Sequence, residues 1–277
     1  MVFRAEIANC LISGMHFSCP LGEERKWERN AIPLELGGRS CVLLQRPGVV
    51  GGPRGRFGGE RCVTSDLIVH GIPPNDPDMG LRFSDDVAWL LAFATLSEVQ
   101  VSSWTFNKKT VHRGIHGTAR VFRPPLNLGN GEQMKRYLEE VWPRFRRFKR
   151  QRKLREVIHY LLVADRDGQP VEVQLALLAI VLENLKSTWA RAKRVPVKKG
   201  RFVRPNSWDG DSGSWVGFEE LLRRMLSEVG MRPGLKRIVK ARNEIVHEGL
   251  SKRGAERVSW YYEKCMGLVQ EYLLTAR

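Results

Sequence analysis

Lys240-Ala241-Arg242-Asn243-Glu244-Ile245-Val246-His247-Glu248-Gly249 places an arginine, an asparagine and a histidine within six residues, inside a strongly basic half of the chain. The stretch ends an expected helix. On an ideal helix Asn243 and His247 lie one turn apart and share a face. Arg242 and His247 are five residues apart, about 140° around the axis, so one regular helix aims them in different directions. As a set they suit a phosphodiester. A guanidinium stabilises charge on a phosphate, an amide positions an oxygen, and an imidazole moves a proton near neutral pH. The plainer alternative is a helix C-terminus, with Gly249 as its cap and His247 at the negative end of the dipole.

Arg242-Asn243-x-x-x-His247 resembles the R-x4-H signature of the HEPN superfamily, whose members are mostly metal-independent ribonucleases of prokaryotic defence and toxin systems. The longer string from Arg242 to Gly249 is most similar to the Apea-like HEPN group. The resemblance is confined to the C-terminal half and implies a helical bundle there. It also implies an endoribonuclease that needs no cofactor or metal and works as a homodimer with a composite cleft. Catalytic roles would fall on Arg242, Asn243 and His247. Glu183 lies in the middle of the most apolar helical stretch, where a carboxylate is costly unless paired. By the resemblance it faces the motif and holds Arg242 or orients His247; otherwise it is an exposed residue beside Lys186. Two other readings stay open: a non-catalytic RNA-binding HEPN module, and a partner-binding helical protein of a toxin–antitoxin pair. Glu248-Gly249 stand where several HEPN groups carry tyrosine or aspartate, which keeps the first of these alive.

Working outward, the 277 residues carry a formal charge of +16, unevenly placed. Residues 1–130 hold 15 Lys and Arg against 12 Asp and Glu; residues 131–277 hold the other 31 against 18. A polyanionic partner for the second part follows, most simply RNA. No stretch approaches the length of a membrane-spanning helix, and the N-terminus lacks a signal-peptide layout, so a cytoplasmic protein with no membrane partner is expected. The five cysteines are odd in number, with none of the close pairs that bind structural zinc. They are expected to be reduced and buried.

Two segments suit phosphate contact. Arg144, Arg146, Arg147, Lys149, Arg150, Arg152, Lys153 and Arg155 put eight cations in twelve residues, with Phe145 and Phe148 between them. The stretch 194–217 carries Lys198, Lys199 and Arg201 ahead of Trp208 and Trp215 in a polar loop, a mixture suited to single-stranded RNA.

The expected fold class is α+β, with a β-rich accessory (sensing or regulatory) domain over 1–130 and an all-α HEPN-like bundle over 131–277. The first part reads as short strands (2–12, 40–45, 62–71), one helix over 85–98 started by Ser84, and a hairpin from 99–106 to 111–122. The glycine-rich loop 48–59, with Arg54 and Arg56, lacks a P-loop's Gly-Lys-Ser/Thr ending and reads as a surface loop. In the second part helices are expected over 133–142 (ended by Pro143), 145–164, 171–193, 218–229, 235–246 and 255–276. The apolar surfaces of 171–193 and of the last helix, with Trp260, Tyr261 and Leu268, are candidates for the dimer interface.

Overall fold

The computed structural model describes residues 1–18, 28–46, 49, 61–117, 124–208, 211–248 and 254–275. Cys19, the 48–59 loop apart from residue 49, and Gly249 lie outside them. The chain forms two compact units, Met1–Arg146 and Arg147–Arg277.

The first unit is built on a seven-stranded antiparallel sheet of order β2-β3-β4-β5-β1-β6-β7. Its strands are β1 (Phe3–Ala8), β2 (His16–Ser18), β3 (Glu28–Glu35), β4 (Ser40–Gln45), β5 (Val63–Val69), β6 (Gln100–Phe106) and β7 (Lys109–His112). β1 is central, paired with β5 and β6. Its alternation decides which face is buried: Phe3, Ala5 and Ile7 are fully buried, whereas Arg4 is exposed. On the other face Glu6 accepts from Ser103 Oγ and Arg46, and Asp66 pairs with Arg4 at 2.8 Å and Arg46 at 3.1 Å. The Ser103 hydrogen bond, with Arg46 behind it, holds the Glu6 carboxyl below its usual range.

One helix, α1 (Pro77–Thr95), packs on β1 and β6. It starts a full two turns before the expected Ser84. Asp76 accepts from Met79 N at 2.9 Å and Pro77 takes the first turn, so Asn75-Asp76-Pro77-Asp78 is a helix cap rather than a free turn. Ser84 is buried mid-helix. The β6–β7 hairpin has Asn107 and Lys108 both at positive φ, the geometry of a two-residue type I′ connection. The second strand of this hairpin is shorter than expected, and 118–122 fall outside the described residues.

α2 (Gly131–Phe148) corrects two expectations. It runs through Pro143, because Leu138, Trp142 and Phe145 on either side are buried and outweigh the lost backbone bond. It also belongs largely to the first unit. Tyr137 donates to Leu90 O at 3.2 Å, Trp142 packs on Phe83 with ring centroids 4.7 Å apart, and Arg146 pairs with Asp86 at 3.2 Å. The boundary therefore falls after Arg146, not at 130/131.

The second unit holds α3 (Leu154–Ala164), α4 (Val171–Ala192), α5 (Phe218–Ser227), α6 (Leu235–Glu248) and α7 (Ala255–Thr275). α4 touches all four of the others. Its Leu175, Leu178, Val181, Leu182, Leu185 and Trp189 are buried, at the spacing of a wide apolar face. The unit is mainly helical rather than all-α. β8 (Val197–Lys198) and β9 (Arg201–Phe202) form a hairpin whose turn residues, Lys199 and Gly200, both have positive φ. Val203 bridges Trp215, and Val216 N bonds Phe202 O, so the described residues of 194–217 fold into a small arm.

Cys10, Cys41 and Cys265 are buried free thiols whose pKa is pushed up to about 12 by burial. Among the described residues no helix is long and apolar enough to cross a membrane.

Gly80 sets how closely α1 approaches β1: a Cβ there would sit 2.4 Å from the Phe3 ring. Gly80→Ala is expected to destabilise the first unit by about 1–3 kcal/mol through overpacking, read as a lower midpoint in urea unfolding. An unchanged midpoint would contradict this packing.

Candidate functional site

α6 is amphipathic, and its register places the candidate residues. Leu235, Ile238, Ala241 and Ile245 are buried, so Arg242, four residues after Ile238, leaves the helix at the edge of the buried face, toward α4. Its Nη2 lies 3.4 Å from Glu183 Oε2 on α4, and Nη1 donates to Asn243 Oδ1 at 2.9 Å. The guanidinium stacks over Phe218 at the start of α5, 5.0 Å from the ring centroid. The side chain is 20% exposed, and its Nε is buried without a hydrogen-bond partner among the described residues.

Glu183 serves two cations. Its Oε1 meets Lys186 Nζ at 2.6 Å and accepts from Ser187 Oγ at 3.4 Å, while Oε2 faces Arg242. The carboxylate is 40% exposed, but the Lys186 side chain is only 9% exposed, with Nζ 5.6 Å from the Phe202 ring and 5.4 Å from the Phe218 ring. Both sequence readings of Glu183 therefore hold in part: it faces Arg242, and it pairs with Lys186.

The result is one carboxylate between two cations on an aromatic floor, a net positive site. The shorter contact goes to the buried lysine, which needs a counterion most. Arg242 is thereby held in direction while much of its charge remains available. Asn243 is exposed and, with Oδ1 engaged by Arg242, keeps its amide donors for another acceptor. The backbone at 247 continues α6, one turn beyond Asn243; the His247 side chain lies outside the described residues.

Lys186 enters the sequence reading only as a neighbour of Glu183, and Ser187 and Phe218 do not enter it as site residues. The i, i+3 spacing of Glu183 and Lys186 was the available signal for the first. The aromatic floor arises from tertiary packing that no local pattern announces.

The basic run divides in its roles. Arg146 is paired with Asp86 and sits over Trp142 at 5.6 Å. Arg152 points inward: Nη2 donates to Tyr272 OH at 2.7 Å and to Leu185 O at 3.2 Å. It is a packing residue, not a phosphate ligand. Lys153 has a left-handed backbone (φ 48°) at the start of α3, where α2 and α3 are separate helices rather than one. Arg144, Arg147 and Arg150 are exposed, and Lys149 is half-buried. Lys198, Lys199 and Arg201 sit exposed on the β8–β9 hairpin, with Arg201 over the half-exposed Trp215 at 5.5 Å. Trp208 is already stacked by Arg224 at 4.0 Å, in a cleft that also contains Glu220 and Glu228. Tyr261 and Leu268 are core residues at 5% and 6% exposure and offer little surface to a partner; Trp260 is 41% exposed. Among the described residues no group of three or more His, Cys, Asp or Glu is placed to hold a metal ion.

No protein-family model matches the sequence, no curated protein is significantly similar to it, and no solved structure matches it.

Arg152→Ala removes the donor from Tyr272 OH and Leu185 O. It is expected to cost about 1–3 kcal/mol in thermal unfolding. Arg147→Ala, exposed, should stay within about 0.5 kcal/mol. Equal effects of the two would return Arg152 to the surface set.

Proposed function

We propose that the helical unit is a HEPN-type, metal-independent endoribonuclease. One observation carries the reading: the Arg242 guanidinium, aimed by Glu183 and Phe218, stands beside the amide donors of Asn243, which have no acceptor among the described residues, on the helix that carries position 247 one turn on. His247 takes or relays the proton of a 2′-hydroxyl, whose oxygen attacks the adjacent phosphorus. The bond to the 5′-oxygen breaks as that oxygen gains a proton. Products are a 2′,3′-cyclic phosphate and a 5′-hydroxyl. Arg242 stabilises the charge that builds on the non-bridging oxygens, and Asn243 donates to one of them. Glu183 positions Arg242, and Lys186 keeps Glu183 from cancelling it.

The homology to HEPN proteins, the ribonuclease activity, the cytoplasmic setting and a role in prokaryotic defence or a toxin system are parts of this one reading. In it the β-sheet unit serves as a sensing or regulatory module, and an antitoxin or defence partner controls cleavage.

The same reading makes the active unit a homodimer. Val173 and Ile180, each 45% exposed, lie seven residues apart on one face of α4. Ile180 is one turn from Glu183. A two-fold contact along this stripe brings two Arg242–Glu183 pairs together, so that one copy's histidine and the other's arginine address one phosphate.

Labelled RNA incubated with the protein in EDTA should be cut to 2′,3′-cyclic phosphate ends. His247→Ala and Arg242→Ala should each lower the rate by about 10²–10⁴-fold with unchanged circular dichroism. Wild-type-like cleavage by His247→Ala would sink the assignment. Retention of RNA without cleavage would favour a non-catalytic binding module, and neither result a partner-binding protein.

Light scattering should give twice the 31.7 kDa chain mass. Ile180→Glu should give a monomer with little activity. A monomeric wild type of constant specific activity on dilution rules out the composite site.

A further inference from the structure

A second cleft, of about 690 Å³, opens between α6 and α7 and is lined by Lys236, Arg237, Lys240, Arg257, Trp260 and Tyr261. Four of the six are cations and none is acidic. All four cations are exposed, and none has a carboxylate partner among the described residues. The cleft beside Trp189 and Trp208 differs on this point, since Glu220 and Glu228 balance its arginines. Trp260 offers an accessible ring. It is braced edge-on by buried Tyr261 at 5.0 Å, and Lys264 Nζ lies 5.6 Å from its centroid.

We propose that this cleft binds one nucleotide unit of single-stranded RNA, its base stacked on Trp260 and its phosphates on Lys236, Lys240 and Arg257; the proposal rests on the RNA reading of the adjoining Arg242–His247 stretch. The volume suits such a ligand, within the roughly 300–1,000 Å³ common for binding pockets. The chemistry is that of single-strand binding, a cationic groove joined to an aromatic platform. Register supplies the continuity. Positions 236, 240, 243 and 247 follow one another along a single face of α6, each step about one turn or 4.5–6 Å along the axis. A strand held in the cleft is thereby led along the same face to Asn243 and position 247. Exposed lining on both helices leaves the strand free to enter and leave.

The test measures binding apart from cleavage. A 2′-O-methyl oligonucleotide, which has no attacking hydroxyl, is titrated into the full chain in EDTA at several salt concentrations. Trp260→Ala is expected to weaken binding about tenfold, the loss typical of one stacked base, while Trp260→Phe retains most of the affinity. Replacing Lys236, Lys240 and Arg257 together with glutamine should lower the salt slope by about 2, at about 0.7 per phosphate contact. These side chains are exposed, so thermal unfolding should be unchanged. Unchanged affinity and slope overturn the proposal. So does an abasic oligonucleotide that binds as tightly as a normal one, or an acidic peptide that displaces RNA at equal charge. A mononucleotide that binds as tightly as the oligonucleotide overturns the strand reading in favour of a free nucleotide. The two levels separate cleanly. A wild type that does not cleave RNA, yet loses oligonucleotide affinity in Trp260→Ala, retires the ribonuclease and keeps the cleft. Cleavage whose KM ignores all of these variants does the reverse.

Discussion

The burial of α4 among four other helices is the constraint on which the helical unit depends. Its wide apolar face commits Leu175, Leu178, Val181, Leu182, Leu185 and Trp189 to the core and leaves only an edge for polar residues. Lys186 falls on that edge, with its ammonium between two phenylalanine rings rather than in water. Cation–π attraction is about 0.5–2 kcal/mol, too little alone to offset the loss of an ion's hydration. A carboxylate must stand close, and Glu183 does, at 2.6 Å. Once one of its oxygens is fixed there, the other has a defined direction, and Arg242 lies along it. The orientation of the guanidinium thus traces back, in three contacts, to the packing of a leucine-rich helix.

The first unit disposes of its charges differently. The sheet buries one face of its central strands and gathers Arg4, Arg46, Glu6 and Asp66 on the other, where cations and carboxylates are matched two to two. Such a balanced cluster fixes strand register and has no surplus charge to offer a ligand. The near-balance of charge over residues 1–130, 15 Lys and Arg against 12 Asp and Glu, has this structural counterpart.

Much of the fold was legible because period and punctuation agree. α4, α6 and α7 carry apolar residues at helical spacing and end close to where the pattern fails. Where local signals competed, tertiary packing decided. Pro143 reads as a terminator, yet buried residues on both sides carry α2 through it. Asp76-Pro77 serves as well for a turn as for a cap, and only the bond to Met79 N distinguishes them. Strand β3, with Pro33 inside it, was not recognised at all. At the site, the link from Glu183 to Arg242 was expected from resemblance. Lys186 stands one turn from Glu183 on the same helix, whereas Phe218, at the start of α5, leaves no linear trace of its contact with Arg242.

The basic residues show why linear density misleads. Eight cations in twelve residues look like a phosphate track, but Arg146 is spent on Asp86 and Arg152 on Tyr272 and Leu185. Lys236, Arg237, Lys240 and Arg257 are dispersed over two helices, and the fold brings them to one cleft with no acid among its lining residues. A phosphate responds to potential through space, in which a paired arginine contributes little beyond a few ångströms and unpaired cations add. Neutralisation by neighbours, not spacing in the chain, determines which part of the +16 can act on a polyanion. By that measure Lys236, Arg237, Lys240 and Arg257 stand with the exposed Arg147 and Arg150 among the cations that have no carboxylate partner within the described residues.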